Sequence, residues 1–105
     1  MTIDLVAGWT SAIDFMLIAR GALPNGTMFG HTAELILMDD SGNQVTTTGD
    51  VEIADPTNWV VRYTPDATDL IPGNYYGRFK ITDAAGGVAY FPSGEPDLWI
   101  IRRAA

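Results

Sequence analysis

The single histidine of the chain, His31, limits the acid–base and nucleophilic chemistry that the sequence can support. A serine hydrolase needs a histidine beside an activated serine, and the sequence has no Gly-x-Ser-x-Gly nucleophile motif. A zinc site needs several imidazole or thiolate ligands, and the chain has one histidine and no cysteine. We therefore expect His31 to be structural or solvated. The sequence predicts a protein that is not an enzyme, with no catalytic residue, metal ligand or cofactor-binding residue, and hence no metal and no cofactor.

Asp39, Ser41 and Asn43 alternate around Gly42 with a spacing that faintly suggests a calcium-binding loop. Such a loop needs a bidentate glutamate at its twelfth position, where this chain has Asp50. Aspartate, serine, glycine and asparagine are also the residues that a tight turn between two strands prefers. The stretch therefore predicts a β-hairpin turn.

Two further aspartates, Asp66 and Asp69, lie three residues apart in a predicted turn. The carboxylate pair of a glycosidase lies on either side of a cleft, and one turn cannot separate its two acids in that way. We interpret Asp66 as a turn cap and Asp69 as a solvated charge. Gly86-Gly87 is not followed by a helix, so it does not form a phosphate-binding loop.

The charge of the chain excludes several classes of partner. Thirteen acidic and six basic residues give a net charge of -7, and the only basic clusters are Arg102-Arg103 and Arg78 with Lys80. Nucleic-acid binding needs clustered basic residues, so none is expected. No apolar run is long enough to cross a bilayer, and residues 1–8 contain Asp4 and no basic residue, which is not the pattern of a secretory signal. Neither a membrane partner nor a signal peptide is predicted.

Short apolar segments with alternating polarity predict β-strands, separated by turn signals about every ten residues. That spacing is typical of an antiparallel sandwich or barrel, and helix should be limited to one short turn at 66–70. Residues 1–105 should form a single domain. The predicted strands span residues 2–7, 13–20, 32–39, 44–48, 51–54, 58–64, 74–83, 88–91 and 97–103.

The stretch from Leu70 to Tyr75 predicts a tyrosine corner. Pro72 and Gly73 favour a tight turn between two sheets. A tyrosine at the start of the next strand, here Tyr75, typically donates a hydrogen bond to the backbone a few residues upstream. This feature is structural, and it is found in immunoglobulin-like sandwiches.

Several stretches resemble small immunoglobulin-like domains of tailed-phage virions, in particular the N-terminal domain of phage baseplate upper proteins. The most specific stretch is Val61-Arg62-Tyr63-Thr64-Pro65-Asp66-Ala67-Thr68-Asp69-Leu70 followed by Pro72-Gly73-Asn74-Tyr75. Ile13-Asp14-Phe15, Met38-Asp39-Asp40-Ser41-Gly42-Asn43 and Tyr90-Phe91-Pro92-Ser93 fit the same scheme. The resemblance covers most of the chain from residue 13 to residue 102.

This resemblance implies an all-β fold, an antiparallel immunoglobulin-like β-sandwich of about 7–8 strands with Greek-key connections. It also implies a structural or assembly protein of a phage tail, baseplate, neck or capsid surface. Such a protein is located in the virion and acts by contacts with other virion proteins and with copies of itself. The family has no catalytic residues that could be carried over. Without the phage resemblance, the expected location is the cytoplasm.

Several predicted strands carry apolar residues on both faces, where an isolated sandwich usually places polar residues outward. Either the chain's own loops cover these residues, for example residues 21–30, or another subunit does; we favour the subunit. The uncharged segment Gln44 to Thr48 is a further candidate, because it could pair with a strand of a neighbour. The predicted interface residues are Met16, Ile18, Ile36, Met38, Val60 and Tyr76.

An alternative function is the recognition of carbohydrate or of a host surface. Trp9, Tyr90 and Trp99 could provide the aromatic platforms on which sugar rings stack.

Overall fold

The computed structural model describes residues 2–17 and 28–104. This part of the chain consists of β-strands and turns and contains no α-helix. Nine strands form: β1 (Thr2–Val6), β2 (Ile13–Met16), β3 (Thr32–Asp39), β4 (Gln44–Val45), β5 (Asp50–Asp55), β6 (Val60–Thr64), β7 (Gly73–Thr82), β8 (Val88–Phe91) and β9 (Asp97–Arg102).

The strands form where the sequence alternates with a period of two, because successive side chains then point to opposite faces of a sheet. In β3 the apolar residues Leu35 and Leu37 are buried, whereas the intervening Ile36 is half-buried. Two of the predicted strands, 32–39 and 88–91, have the observed bounds. The helical turn expected at 66–70 is instead a hydrogen-bonded turn, in which the Asp69 N–H donates to the Asp66 carbonyl at 3.0 Å.

The strands make two sheets. The large sheet has the order β1-β9-β7-β3-β4, with β8 also paired to β7, and the small sheet has the order β2-β6-β5. β1 is parallel to β9, and every other pair is antiparallel. The all-β sandwich is therefore confirmed. It differs from the implied all-antiparallel sandwich in one parallel pair, β1 with β9. It has nine described strands rather than about 7–8, with β8 and β9 sharing one edge of β7.

The core lies between the two sheets and is rich in aromatic residues. The ring of Phe15, on the small sheet, has its centroid 4.9 Å from that of Phe79 and 5.5 Å from that of Trp99, both on the large sheet. Tyr63, also on the small sheet, lies 6.2 Å from Trp99. Because rings from the two inner faces interdigitate, the aromatic contacts hold the two sheets together.

Gly77 makes room for Trp99 at the centre of this core. The glycine lies on the inner face of β7, and a Cβ atom there would lie 2.5 Å from Trp99 Nε1 and 2.9 Å from Cδ1. Real Cβ atoms do not approach other heavy atoms so closely. The absence of a side chain at Gly77 therefore allows the indole to lie flat against the strand.

Trp59 lies within the strand predicted for residues 58–64 but outside the observed strand, because β6 begins at Val60. Its backbone has a φ of 58°, in the left-handed region that interrupts a strand. The side chain is nevertheless only 3% exposed, as expected for the inner face, and the Trp59 carbonyl accepts a hydrogen bond from the Leu17 N–H at 2.9 Å. Tertiary packing therefore fixes a conformation that is unfavourable for tryptophan by itself.

The turn between β3 and β4 uses the carboxylate of Asp39. Asp39 Oδ1 accepts hydrogen bonds from the backbone N–H groups of Ser41 and Asn43, both at 2.9 Å. Gly42 has a φ of 83°, which only glycine adopts at little cost. The spacing that suggested a calcium loop is therefore the spacing of a hairpin turn.

Candidate functional site

His31 is not part of a catalytic arrangement in the described residues. Its Nδ1 lies 3.1 Å from the Phe29 carbonyl, and its ring contacts Trp59 edge-on with centroids 6.2 Å apart. It lines a small surface cavity of about 260 Å³ together with Ile81, Val88 and other residues. In residues 2–17 and 28–104, no three histidine or acidic side chains are grouped so that they could hold a metal ion.

Asp69 is buried and makes several hydrogen bonds, so its interpretation as a solvated charge is wrong. It is 5% exposed and lies beneath the loop that joins β4 to β5. Its carboxylate accepts hydrogen bonds from Thr48 N at 2.7 Å, Thr48 Oγ1 at 3.1 Å, Gly49 N at 2.8 Å, Tyr63 Oη at 2.8 Å and Asp66 N at 3.1 Å. One side chain thus joins the β4–β5 loop, β6 and the β6–β7 turn.

Gly49 shows how closely this arrangement is packed. A Cβ atom at residue 49 would collide with the Thr64 carbonyl oxygen and would lie 2.8 Å from both Asp66 N and Asp69 Oδ2. Two of these three atoms belong to the backbone, which cannot move aside as a flexible side chain can. Only glycine therefore fits between the carboxylate of Asp69 and the turn that follows β6.

The hydrogen bonds determine the charge state of Asp69. Burial raises the pKa of its carboxyl. The hydrogen bonds from the Thr48 and Gly49 N–H groups, the Tyr63 hydroxyl and the Asp66 N–H lower the pKa by more than burial raises it, so the pKa lies below its ordinary value. The pKa of Tyr63 is raised, first by burial and then by its hydrogen bond to the anionic Asp69. The pair is therefore a carboxylate and a neutral phenol at neutral pH.

This pKa shift predicts an acid-sensitive stability. A carboxyl whose pKa is lower in the folded than in the unfolded state stabilises the fold at any pH above its unfolded pKa, which is about 3.9 for aspartate. That stabilisation is lost as the pH falls through the lower, folded-state pKa. We expect the difference in the free energy of unfolding between wild type and Asp69→Asn to be constant from pH 7 to 5 and to shrink below about pH 4. Urea unfolding across this range measures it. A difference that did not change down to pH 3 would contradict the assignment.

Asp66, in contrast, is exposed and caps its own turn, as the sequence predicts. Its Oδ2 accepts hydrogen bonds from the Thr68 hydroxyl at 2.7 Å and the Thr68 N–H at 3.3 Å. The two aspartates therefore have different roles, and neither faces a second free carboxylate across a cleft.

The predicted hydrogen bond of the tyrosine corner is present. The Tyr75 hydroxyl donates to the Ile71 carbonyl at 2.9 Å, four residues upstream. Gly73 has a φ of 150°, and the Tyr75 ring lies about 3.5 Å from where a Cβ of residue 73 would be. Together with buried Leu70 and with Pro72, these residues fix the crossing from β6 to β7, and they have a structural role.

The predicted interface residues do not form one surface. Ile36, Met38 and Tyr76 lie on the outer face of the large sheet, whereas Met16 and Val60 lie on the outer face of the small sheet. Ile18 is outside the described residues, as is most of the 21–30 loop. The described candidates therefore belong to two separate surfaces, since residues that face outward from opposite sheets of a sandwich point in opposite directions.

The outer face of the large sheet carries a contiguous apolar cluster, which we call the large-sheet face. Met38 is opposite Tyr76 across the β3–β7 pair, and Tyr76 is opposite Leu98 across the β7–β9 pair. Ile36 and Ile100 extend this row along the neighbouring strands. Tyr76 is 41% exposed, and the other four side chains are half-buried. The sequence prediction missed Leu98 and Ile100, because it did not assign the two faces of β9.

The large-sheet face carries more basic than acidic residues, although the chain as a whole is acidic. Three of the six basic residues of the chain lie there (Arg78, Lys80 and Arg102), but only two of the thirteen acidic residues (Asp4 and Glu34). Arg102 forms a bidentate ion pair with Asp4, with distances of 2.9 and 3.1 Å. Arg78 contacts the Gly94 carbonyl and the Tyr90 ring, and no described carboxylate forms an ion pair with it.

The outer face of the small sheet, which we call the small-sheet face, has a net negative charge, whereas that of the large-sheet face is positive. Met16, which is 55% exposed, is opposite Val60 across the β2–β6 pair. In the next row Arg62 makes a bidentate ion pair with Asp14 at 2.8 and 3.2 Å and lies 3.9 Å from Glu52. Asp50 adds a third carboxylate. An apolar pair thus lies beside three acidic residues and one basic residue.

Only two of the three predicted aromatic platforms are accessible. Trp9 is 43% exposed and Tyr90 is 41% exposed, but Trp99 is 1% exposed and belongs to the core. The prediction that Trp99 could stack on a ligand is therefore wrong. The indole Nε1 of Trp9 donates a hydrogen bond to the Ser11 carbonyl at 2.9 Å, which fixes the orientation of its ring.

The edge segment from Gln44 to Thr48 is only partly a strand. Gln44 and Val45 pair with β3 at the end of the large sheet, which places the segment at an edge as predicted. Thr48 points its N–H inward to Asp69. The segment therefore offers a shorter edge for pairing than its sequence indicates.

No protein-family model and no characterised protein matches the sequence. Residues 2–17 and 28–104 include no helix that is long and apolar enough to span a membrane. The geometry of the two outer faces is therefore the main basis for a functional interpretation.

Proposed function

We propose that the chain is a non-enzymatic structural or assembly protein of a phage virion, a component of the tail, baseplate, neck or capsid surface, that acts through protein–protein contacts. The observation that carries the proposal is the apolar cluster on the large-sheet face, where a solitary sandwich would present polar residues. Covering this cluster with another protein removes apolar area from water, which is the main driving force of association.

The strand order supports an immunoglobulin-like assignment as part of this proposal. The small sheet holds the second, sixth and fifth strands, and the large sheet holds the third, the seventh and the last. That partition corresponds to the B-E-D and C-F-G sheets of immunoglobulin-type sandwiches. The tyrosine corner at Tyr75 belongs to the same architecture.

The polar residues that could have suggested chemistry have structural partners instead. Asp69 accepts five hydrogen bonds within the fold, and Asp39 holds a hairpin turn. His31 has a backbone carbonyl as its hydrogen-bond partner. These contacts favour a binding or scaffolding role over catalysis.

Mass spectrometry of purified phage particles from a host that carries the gene tests the proposal. We expect tryptic peptides of this chain at a fixed copy number per particle, retained after density-gradient purification. Immunogold labelling of the same particles would then give the position. Absence of the chain from particles that contain the other tail and head proteins would overturn the proposal.

A second candidate is recognition of carbohydrate or of a host surface, favoured by the exposed rings of Trp9 and Tyr90. A glycan array probed with the purified chain should then give binding that Trp9→Ala or Tyr90→Ala reduces at least tenfold. Replacement of exposed Phe29 by alanine is the matched control. An array without signal would reject this candidate.

A further inference from the structure

Resting on the proposed function, the geometry points to a second copy of this chain as a partner, with the large-sheet face of one copy on the small-sheet face of the next. Both faces have an apolar centre: Met38, Tyr76 and Leu98 on one, Met16 and Val60 on the other. The interface is therefore heterologous, since two different surfaces of the same chain meet.

Charge complementarity selects this arrangement. The large-sheet face has three basic and two acidic residues, in a chain whose net charge is -7. The small-sheet face has three acidic residues and one basic residue. Placing the first face on the second opposes a face with net positive charge to one with net negative charge, in a register that would let Arg78 and Lys80 pair with Asp50 and Glu52. Opposite charges across an interface guide docking and fix its register.

A symmetric dimer through either face would lack this complementarity. Two large-sheet faces would join two surfaces that each carry three basic and two acidic residues. Two small-sheet faces would oppose their carboxylates in the same way. Like charges in contact disfavour both symmetric dimers.

Head-to-tail contacts have a consequence for assembly. A stack of copies has a free large-sheet face at one end and a free small-sheet face at the other. Such contacts close into a ring or continue as a filament, depending on the rotation between neighbours.

Two blocked variants test the arrangement. Tyr76→Glu places a charge in the centre of the large-sheet face and leaves the small-sheet face intact. Met16→Glu does the reverse, and both replaced side chains are well exposed. In sedimentation equilibrium at low salt, the wild-type chain should form oligomers whose mass rises with concentration. Each variant alone should be monomeric, and an equimolar mixture should form a 1:1 dimer that grows no further.

Charge reversal provides a second measurement that does not depend on those variants. Arg78→Glu and Glu52→Lys should each weaken wild-type association roughly tenfold, and the effect should diminish as salt is raised. Arg103→Glu, at an exposed residue outside the strands, is the matched control for charge. Ile71→Glu, at a side chain that is 59% exposed and lies on neither sheet, is the control for an added charge at an apolar position. Both controls should associate as wild type does.

Three results would overturn the inference. The first is a wild-type chain that stays monomeric at every concentration. The second is a Met16→Glu variant that still self-associates, which indicates a symmetric large-sheet dimer. The third is a mixture of the blocked variants that does not associate. The inference and the proposed function fail separately. A chain present in virions but monomeric in isolation would reject only the head-to-tail contact, and an assembling chain absent from virions would reject only the virion role.

Discussion

Replacing Asp69 by alanine should lower the free energy of unfolding by about 4 kcal/mol, because it leaves several buried donors without an acceptor at about 1–3 kcal/mol each. These donors are the Tyr63 hydroxyl and the backbone N–H groups of Thr48, Gly49 and Asp66. The expected loss is smaller than the full sum, since water can reach some of the backbone groups after the carboxylate is removed. Urea unfolding followed by circular dichroism measures the change.

Two single replacements provide the comparison. Asp66→Ala removes an exposed cap and should cost about 1 kcal/mol. Tyr63→Phe removes one of the donors to Asp69, keeps the ring in the core, and should also cost about 1 kcal/mol. If Asp69→Ala were no more destabilising than Asp66→Ala, the carboxylate would not be the connecting residue that its contacts indicate.

Replacing Gly77 by alanine should destabilise the fold by about 1–3 kcal/mol, the range expected when an extra carbon is forced into a packed core. The new methyl group would lie 2.5 Å from Trp99 Nε1, and the indole cannot retreat freely because it is fully buried and stacks on Phe15. Relief requires either a shift of β7 from β9 or a different rotamer of Trp99. The near-ultraviolet circular dichroism of the buried indole should therefore change together with the stability.

A double-mutant cycle separates this collision from a general effect of alanine in the strand. Trp99→Phe removes the part of the indole that meets the new Cβ, so Gly77→Ala should cost less in that background, with a coupling energy of about 1 kcal/mol or more. Gly94→Ala is the matched control, because a Cβ there meets nothing within 4 Å. Equal costs for Gly77→Ala in the two backgrounds would show that the collision does not determine the effect.

The strands were predictable from the sequence where alternation was undisturbed. Leu35 and Leu37 alternate with half-buried or exposed neighbours through β3, and a period of two defines both the strand and its inner face. The strand predicted at residues 58–64 was too long at its start, because Trp59 adopts a left-handed φ that nothing in its residue type indicates. Local pattern identifies a strand, but the bounds depend on contacts that other segments supply.

The role of Asp69 could not be predicted for a similar reason. An aspartate in a polar turn reads as solvated, and its burial depends on Thr48 and Gly49, about twenty residues earlier in the chain. The one available signal was Tyr63, which alternates with Val61 in the predicted strand 58–64, because a buried tyrosine hydroxyl needs a hydrogen-bond partner.

The separation of the interface residues onto two faces could not be predicted for the same reason. Alternation shows that Met16 and Tyr76 face outward but not that they belong to different sheets.

The parallel pairing of β1 with β9 determines how the domain responds to tension. Because the two strands run in the same direction, the chain enters β1 at one pole of the sandwich and leaves β9 at the other. A force applied between Thr2 and Arg102 therefore acts along the strands and shears their ladder. The backbone hydrogen bonds of this pair must then break together rather than one after another. The Arg102–Asp4 ion pair adds a further contact between the two strands.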